Sequence, residues 1–400
     1  MIDVLPDRIK AFEPSAIQNA LHSTLNSDVI SFSLGMPSEN LFPILDYKSA
    51  MLDLQMPNSL QYSPPLENLK HQIVDLMKHR GVNCTSNQIF LTSGAQQAIQ
   101  LLCRALVGEK DETVVTDAAT YPGFIQAAQS LDISLLTVPI DLTNGMDIGS
   151  LENLCKSTKK PKFIYSMSEG HNPLGISLSK EKRLKLTEIA QTYQIPIIED
   201  DAYGFLNYQA VELPLKAYNA DWVFYIGSFS KILAPSARVG WIVGPEFLME
   251  KLAILKESSD INTATFSQRI VSSFIERNDF TKHFFFLRSS YKEKKDKMVT
   301  ALNKYIPELI FTVPSSGFLI WGHLPSSIDT HQLFWHALKN EKVSFLPGNA
   351  FGPSFDKDLN HCLRLSFSHC PLELIETGIE RLAKALKSYI TKEKNSRIKP

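Results

Sequence analysis

The chain has 400 residues, of which 44% are hydrophobic and 21% charged, with a formal net charge of −1. That length allows two domains around a large core, and the composition is that of a globular protein. The near-zero charge gives no electrostatic case for nucleic acid or an anionic membrane as partner. No stretch approaches the ~18 consecutive apolar residues of a membrane span.

Cysteine usage points the same way. Cys84, Cys103, Cys155, Cys362 and Cys370 are odd in number and include no Cys-x-x-Cys pair. Free thiols in a reducing compartment fit this better than a disulfide framework or a zinc site, so no metal is expected. The N-terminus, MIDVLPDRIKAFEP, lacks an apolar signal core, and the expected location is the cytoplasm.

The first β-type run, Gln88–Leu91, leads into Thr92-Ser93-Gly94-Ala95-Gln96-Gln97 and a helical pattern over Ala95–Leu106. A glycine among small residues at a helix start leaves backbone N–H groups free for an anion. The plain alternative is a helix capped by Ser93 or Thr92. Neither a P-loop nor a GxGxxG fingerprint occurs anywhere in the chain.

Strands then alternate with helical patterns: Thr113–Thr116, Ile133–Val138, Lys162–Met167, Ile195–Glu199, Trp222–Ile226 and Val239–Val243, with a helix over Lys180–Tyr193. Such alternation predicts an α/β fold with a mostly parallel sheet flanked by helices. Ligands of such sheets sit beyond the carboxyl ends of the strands, and polar motifs follow several strands here. Tyr121 in TYPG stands on a turn, where its ring could stack on a planar ligand or simply pack. Asn172 in HNPLG reads as a turn residue or a hydrogen-bond donor. Asp200, in IPIIEDDAYG, closes a strand and calls for a cationic or N–H partner, with Tyr203 close by.

Lys231 lies in GSFSKILAPSARVGW, after a strand, beside Ser228 and Ser230 and seven residues before Arg238. A rigid, partly desolvated lysine near cations suits Schiff-base chemistry, and hydroxyls with an arginine suit a phosphate. A surface lysine in a serine-rich turn is the alternative. From Pro245 to Tyr305 the pattern is helical, with KEKKDK at 292–297 read as a solvated face. Strands at Phe318–Trp321, Val343–Phe345 and Leu363–Phe367 and a helix from Pro371 to Ile390 suggest a second, smaller α/β domain, followed by a frayed basic tail. Alternation leaves open whether Arg364 faces in, toward a carboxylate, or out.

The ordered set SGAQQA, TYPG, NPLG, EDDAYG, SFSK with its downstream arginine, and LRLSFS resembles the fold-type I pyridoxal-phosphate aminotransferases of the class I/II superfamily. It is most similar to the branch of aminoadipate and kynurenine aminotransferases, and the likeness includes VISFSLGMPSENLFP and PGNAFGP. The resemblance implies a seven-stranded-type sheet in a large domain, residues 45–285, and a small domain from 1–44 and 286–400. It implies pyridoxal 5'-phosphate on Lys231, with Asp200 at the ring nitrogen, Tyr203 and Asn172 at the phenolic oxygen and Tyr121 on the ring face. Gly94, Ala95, Gln96, Ser228, Ser230 and Arg238 would hold the phosphate. Arg364, with Asn172 and Gly35, would hold the substrate. Tyr62 would reach the partner's phosphate in a homodimer. The implied reaction is ping-pong transfer of an amino group from an α-amino acid to a 2-oxo acid.

Four departures from the family pattern stand out. Ala95 replaces a frequent serine, and the segment after Tyr62 is shortened. Gln18 stands where an arginine is common, which argues against an acidic substrate, while Ile17 and Leu21 lean toward an apolar one. Ser168-Glu169-Gly170-His171 is unusual and raises a second reading: elimination, cyclisation or oxidation of an amino acid on the same cofactor. A non-enzymatic cofactor sensor is the third, weaker reading.

Overall fold

The computed structural model describes residues 4–5, 7–10, 28–52, 54, 61–108, 112–209, 212–353 and 357–398. Its central sheet has seven strands: β1 (Ile89–Thr92), β2 (Thr113–Asp117), β3 (Ser134–Val138), β4 (Ile164–Ser166), β5 (Ile197–Asp200), β6 (Val223–Ser228) and β7 (Gly240–Val243). The order is β1-β7-β6-β5-β4-β2-β3. β2 to β6 run parallel, and β7 lies antiparallel to both of its neighbours, β1 and β6.

Every residue of β4, β5 and β6 is buried. Helices on both faces demand this, and it explains why these strands read as continuous apolar runs. The helices include α1 (Glu67–His79), α2 (Ala95–Leu106), α3 (Pro122–Ser130) and α4 (Lys180–Tyr193). α2 buries Ala98, Ile99, Leu101, Leu102 and Cys103 and packs on β5, β6 and β7. Asp117, Asp200 and Ser228 end β2, β5 and β6, so the expected motifs come off one edge of the sheet.

Three helices follow: α5 (Glu246–Asp260), α6 (Thr265–Arg277) and α7 (Phe280–Tyr305). A four-stranded antiparallel sheet comes next, with β8 (Ile310–Phe311), β9 (Leu319–His323), β10 (Leu346–Pro347) and β11 (Cys362–Ser366) in the order β8-β9-β11-β10. α8 (Ile375–Ile398) packs along α7, and the tail expected to fray is helical through Ile398. Ile30–Ser31 pairs in parallel with Val343–Ser344, and Ser366 N–H donates to Phe32 C=O at 2.8 Å.

The KEKKDK run is solvated only in part. Lys294 and Lys295 are buried. The Lys294 ammonium donates to Ser38 Oγ at 3.0 Å and to the carbonyls of Ser368 at 2.7 Å and Cys370 at 2.9 Å, while Lys295 lies over the Tyr208 ring. A 26-residue helix in a packed protein must turn some of its surface inward, and long amphipathic side chains tolerate this when their heads find acceptors.

Candidate active site

β6 ends at Ser228, and the turn after it carries Ser230 and Lys231. The Lys231 amine donates to Gly35 C=O at 2.7 Å. Burial, aided by Arg364 and Arg238, pushes its pKa down to about 8, against the pull of Asp200. A lysine in this setting is neutral far more often than an exposed one.

Asp200, at the end of β5, faces the same cavity. Its Oδ2 accepts from Tyr165 O–H at 2.7 Å, whereas its Oδ1 is buried without a partner. Burial raises its pKa to about 6, with the Tyr165 hydroxyl opposing and Asp201 adding to the rise. A buried carboxylate oxygen with nothing to accept from is what a protonated ring nitrogen would satisfy. The neighbouring acids point elsewhere. Glu199 accepts from the backbone N–H groups of Leu215 and Lys216, and Asp201 accepts from Arg80 and Tyr225, each at 2.9 Å. Strand alternation thus singles out one acid of three for the cavity.

The Gly94 turn comes from β1 and opens α2. Gly94 itself is the N-cap, at φ +86°, and no side chain caps the helix. The serine or threonine cap is therefore absent. Ser93 Oγ donates to Asp260 at 2.8 Å and Thr92 Oγ to Gly94 C=O at 3.1 Å. A Cβ at Gly94 would meet Arg238 Nη2 at 2.4 Å. Arg238 donates to Ser93 C=O at 3.0 Å and to Ser230 Oγ at 3.4 Å, and Ser228 Oγ meets Ser230 Oγ at 3.1 Å. A helix N-terminus, two hydroxyls and a guanidinium converge, which is the donor set for a phosphate.

Arg364 faces inward and is 2% exposed. It donates to Asn172 Oδ1 at 3.0 Å and to the Ser33 carbonyl, while its Nε is buried without a partner. Phe351 lies beneath the guanidinium at 5.0 Å. Burial lowers its pKa to about 10, which still leaves it charged at neutral pH. Burial also raises the Tyr121 phenol to about 12 and pushes up that of Tyr203.

Apart from Gly94 and Tyr62, every site residue expected from the sequence lines one cavity of about 270 Å³. Gln96 lines it too, although its amide donates to Gly123 C=O at 2.6 Å. Tyr62 is 87% exposed and lies outside its own chain's cavity. Sequence reasoning missed Tyr165, although it alternates with Ser166 on β4 and so shares the face of Met167, which lines the cavity. Leu34, Met36, Ala202 and Pro235 were also missed. Gln18, Ile17 and Leu21 lie outside the described residues.

The family model for aminotransferase class I and II matches residues 27–382. The chain belongs to the class I and II aminotransferases. An aromatic-amino-acid aminotransferase of Thermococcus litoralis is 33% identical over 96% of this chain and 94% of its own. A 2-aminoadipate transaminase of Thermus thermophilus is 30% identical over 94% and 95%. The solved kynurenine aminotransferase of Pyrococcus horikoshii, in complex with PMP, superposes with a TM-score of 0.90 at 31% identity, over 96% of this chain and 97% of that one. This aminotransferase is therefore a pyridoxal-phosphate-dependent enzyme that transfers amino groups between amino acids and 2-oxo acids. The elimination, cyclisation or oxidation reading is not favoured.

The segment that prompted that reading is structural in this aminotransferase. Glu169 pairs with Arg183 at 2.8 Å, Ser168 donates to Glu199 at 2.5 Å, and His171 Nε2 meets Asp117 at 3.1 Å. None of the three lines the cavity. One cluster does carry metal-type donors, His323, His361 and Cys362. Its geometry suits a metal poorly. Cys362 Sγ is 3.7 and 3.8 Å from the two ring nitrogens of His323 and so faces neither lone pair, and Nε2 already accepts from the Trp321 indole at 3.0 Å. No helix among the described residues is long and apolar enough to cross a membrane.

Proposed function

We propose that Lys231 carries the cofactor of this aminotransferase and that Arg364 holds the α-carboxylate of each substrate in turn. The observation that carries this reading is the orphaned Oδ1 of Asp200 in the same cavity as the Lys231 amine and the Ser230–Arg238 cradle. Bound there, pyridoxal 5'-phosphate supplies an aldehyde for the amino group and a ring that draws electrons from the substrate's α-carbon.

The chain's own residues do the rest. Asp200 would keep a proton on a ring nitrogen held against it, since its buried oxygen gains a partner only in that form. Tyr203 and Asn172 would hydrogen-bond the phenolic oxygen, and the Tyr121 ring would pack on the cofactor's face. The N–H groups at the start of α2, with Ser228, Ser230 and Arg238, would hold and neutralise the phosphate. Lys231 Nζ would serve as the base that takes the α-carbon proton and as the acid that returns it during transfer of the amino group.

Among the described residues, the cations lining the cavity are Lys231, Arg238 and Arg364, each with a role already. Among those residues no further cation is left for an acidic substrate side chain, and Leu34 and Met36 offer apolar surface instead. This supports an apolar or aromatic amino acid as donor. Exposed Tyr62, with exposed Ile44, Leu45, Met51 and Leu52 near it in sequence, supports a homodimer in which each chain completes the partner's phosphate site. The separate sheets at 89–243 and 310–366 support a division into residues 45–285 and 1–44 with 286–400, with α7 running from one part into the other. Five free cysteines fit a cytoplasmic enzyme.

The test is a half-reaction panel. Cofactor-loaded protein mixed with single amino acids should lose its visible band for that of the amine form, and a 2-oxo acid should restore it. Aromatic and branched donors should react faster than glutamate. Absence of a half-reaction with every amino acid, or a visible Schiff-base band in Lys231→Ala, would sink the reading.

A further inference from the structure

A second cavity, of about 410 Å³, opens between the C-terminal end of α1, the end of α6 and the first turns of α7. Arg80 forms its inner wall. Its side chain is 3% exposed, and Nη2 donates to Asp201 Oδ2 at 2.9 Å. Its Nε and Nη1 are buried and have no partner. Asp201 meets Arg80 through Oδ2 alone, which also accepts from Tyr225 O–H at 2.9 Å, while its Oδ1 is buried without a partner and does not reach the two remaining Arg80 donors. A guanidinium offers five donors, and leaving those of a buried charge unmade is costly, so their presence beside open volume points to something that accepts from them.

A second guanidinium stands at the same cavity. Arg288, on α7, donates Nε to Phe205 C=O at 2.8 Å, and no carboxylate pairs with it among the described residues. Burial and the charge of Arg80 lower its pKa, which places two like charges in mutual range without a shared counterion. Apolar surface completes the cavity. Phe205 stacks on Phe284 at 4.9 Å, and Phe280 meets Phe284 edge-on at 5.1 Å. Asp75, exposed at the rim, is the acidic side chain that lines it.

Two guanidinium groups beside an aromatic wall recognise a carboxylate attached to an apolar body. The volume is that of a small-molecule pocket. We infer that this cavity is a second binding site, separate from the active site, for a small monocarboxylate with an apolar or aromatic body, held by Arg80 and Arg288. It sits behind the strand end that carries Asp200, because Arg80 anchors the next residue, Asp201.

The probe is phenylacetate, titrated calorimetrically into cofactor-loaded protein carrying Arg364→Ala, which removes the carboxylate clamp proposed for the active site. One equivalent per chain should bind. Arg288→Leu in that background should weaken it about tenfold, the effect of one lost charged hydrogen bond. Thr281→Trp, at an exposed position on the cavity's edge, should block it, and the neutral isostere phenylacetamide should not bind. Thermal melting shows that each variant is folded, and Arg80 itself is left intact because it holds Asp201. No binding to the Arg364→Ala protein, unchanged affinity in both Arg288→Leu and Thr281→Trp, or equal binding of phenylacetamide overturns the site. Two equivalents in the Arg364→Ala protein, one of them lost with Arg288→Leu, would uphold the second site and refute the role given to Arg364.

Discussion

Lys231 and Asp200 face one cavity, and burial moves their proton affinities in opposite directions. In cofactor-free protein the neutral amine is the form that attacks an aldehyde. Because the Lys231 pKa is lowered to about 8, its neutral fraction rises as pH climbs through that value, well below the ordinary lysine range near ~10.4. Recombination with cofactor, followed by visible absorption, should therefore speed up with pH and level off above about 8. A midpoint in the ordinary lysine range would show that the cavity does not act on the amine. Asp200→Asn keeps the shape and removes the anion. Losing one partner of a buried charge pair costs about 2–5 kcal/mol, so kcat should fall roughly 30-fold or more while the protein still melts cooperatively. A near-normal kcat would remove Asp200 from the mechanism.

At the level of elements, the chemistry depends on where strands and helices stop. Gly94 starts α2 without a side-chain cap, at a positive φ and against Arg238. Gly94→Ala should cost about 1–2 kcal/mol of cofactor affinity, roughly tenfold, through strain and a displaced guanidinium. An unchanged dissociation constant by equilibrium dialysis would show that the turn does not cradle the phosphate. The strand ends were legible to within a residue or two because β5 and β6 are buried on both faces and read as apolar runs, Ile195–Glu199 and Trp222–Ile226, that stop just short of Asp200 and Ser228. The bounds of α2 and α4 were legible as well, from apolar spacing alone. The inward face of Arg364 was not, because a strand residue between two leucines gives no sign of which layer covers it. The buried heads of Lys294 and Lys295 were hidden for a related reason. The acceptors of Lys294, Ser38 Oγ and the carbonyls of Ser368 and Cys370, come from far along the chain, as does the Tyr208 ring beneath Lys295, whose ion-pair partner is the adjacent Asp296. Tyr165 was hidden because its partner, Asp200, lies on a neighbouring strand.

For the whole molecule, Tyr62 gives a test of shared active sites. In the proposed homodimer, Tyr62→Ala chains would keep Lys231 but deny the partner its tyrosine, and Lys231→Ala chains would do the reverse. Unfolding and refolding the two together should form hybrid dimers with one complete site each, and random pairing restores roughly a quarter of wild-type activity. Activity no higher than the weighted mean of the separate variants would mean that each chain works alone. The pairing of Ile30–Ser31 with Val343–Ser344 has a consequence for synthesis on the ribosome. Just past that short strand, Ser33 and Gly35 offer the carbonyls that receive Arg364 and Lys231. Those early residues find their strand partner only after more than 340 residues have been made. A nascent chain can build the seven-stranded sheet first, yet the wall that aims its lysine arrives almost last, so the enzyme is silent until translation is nearly complete.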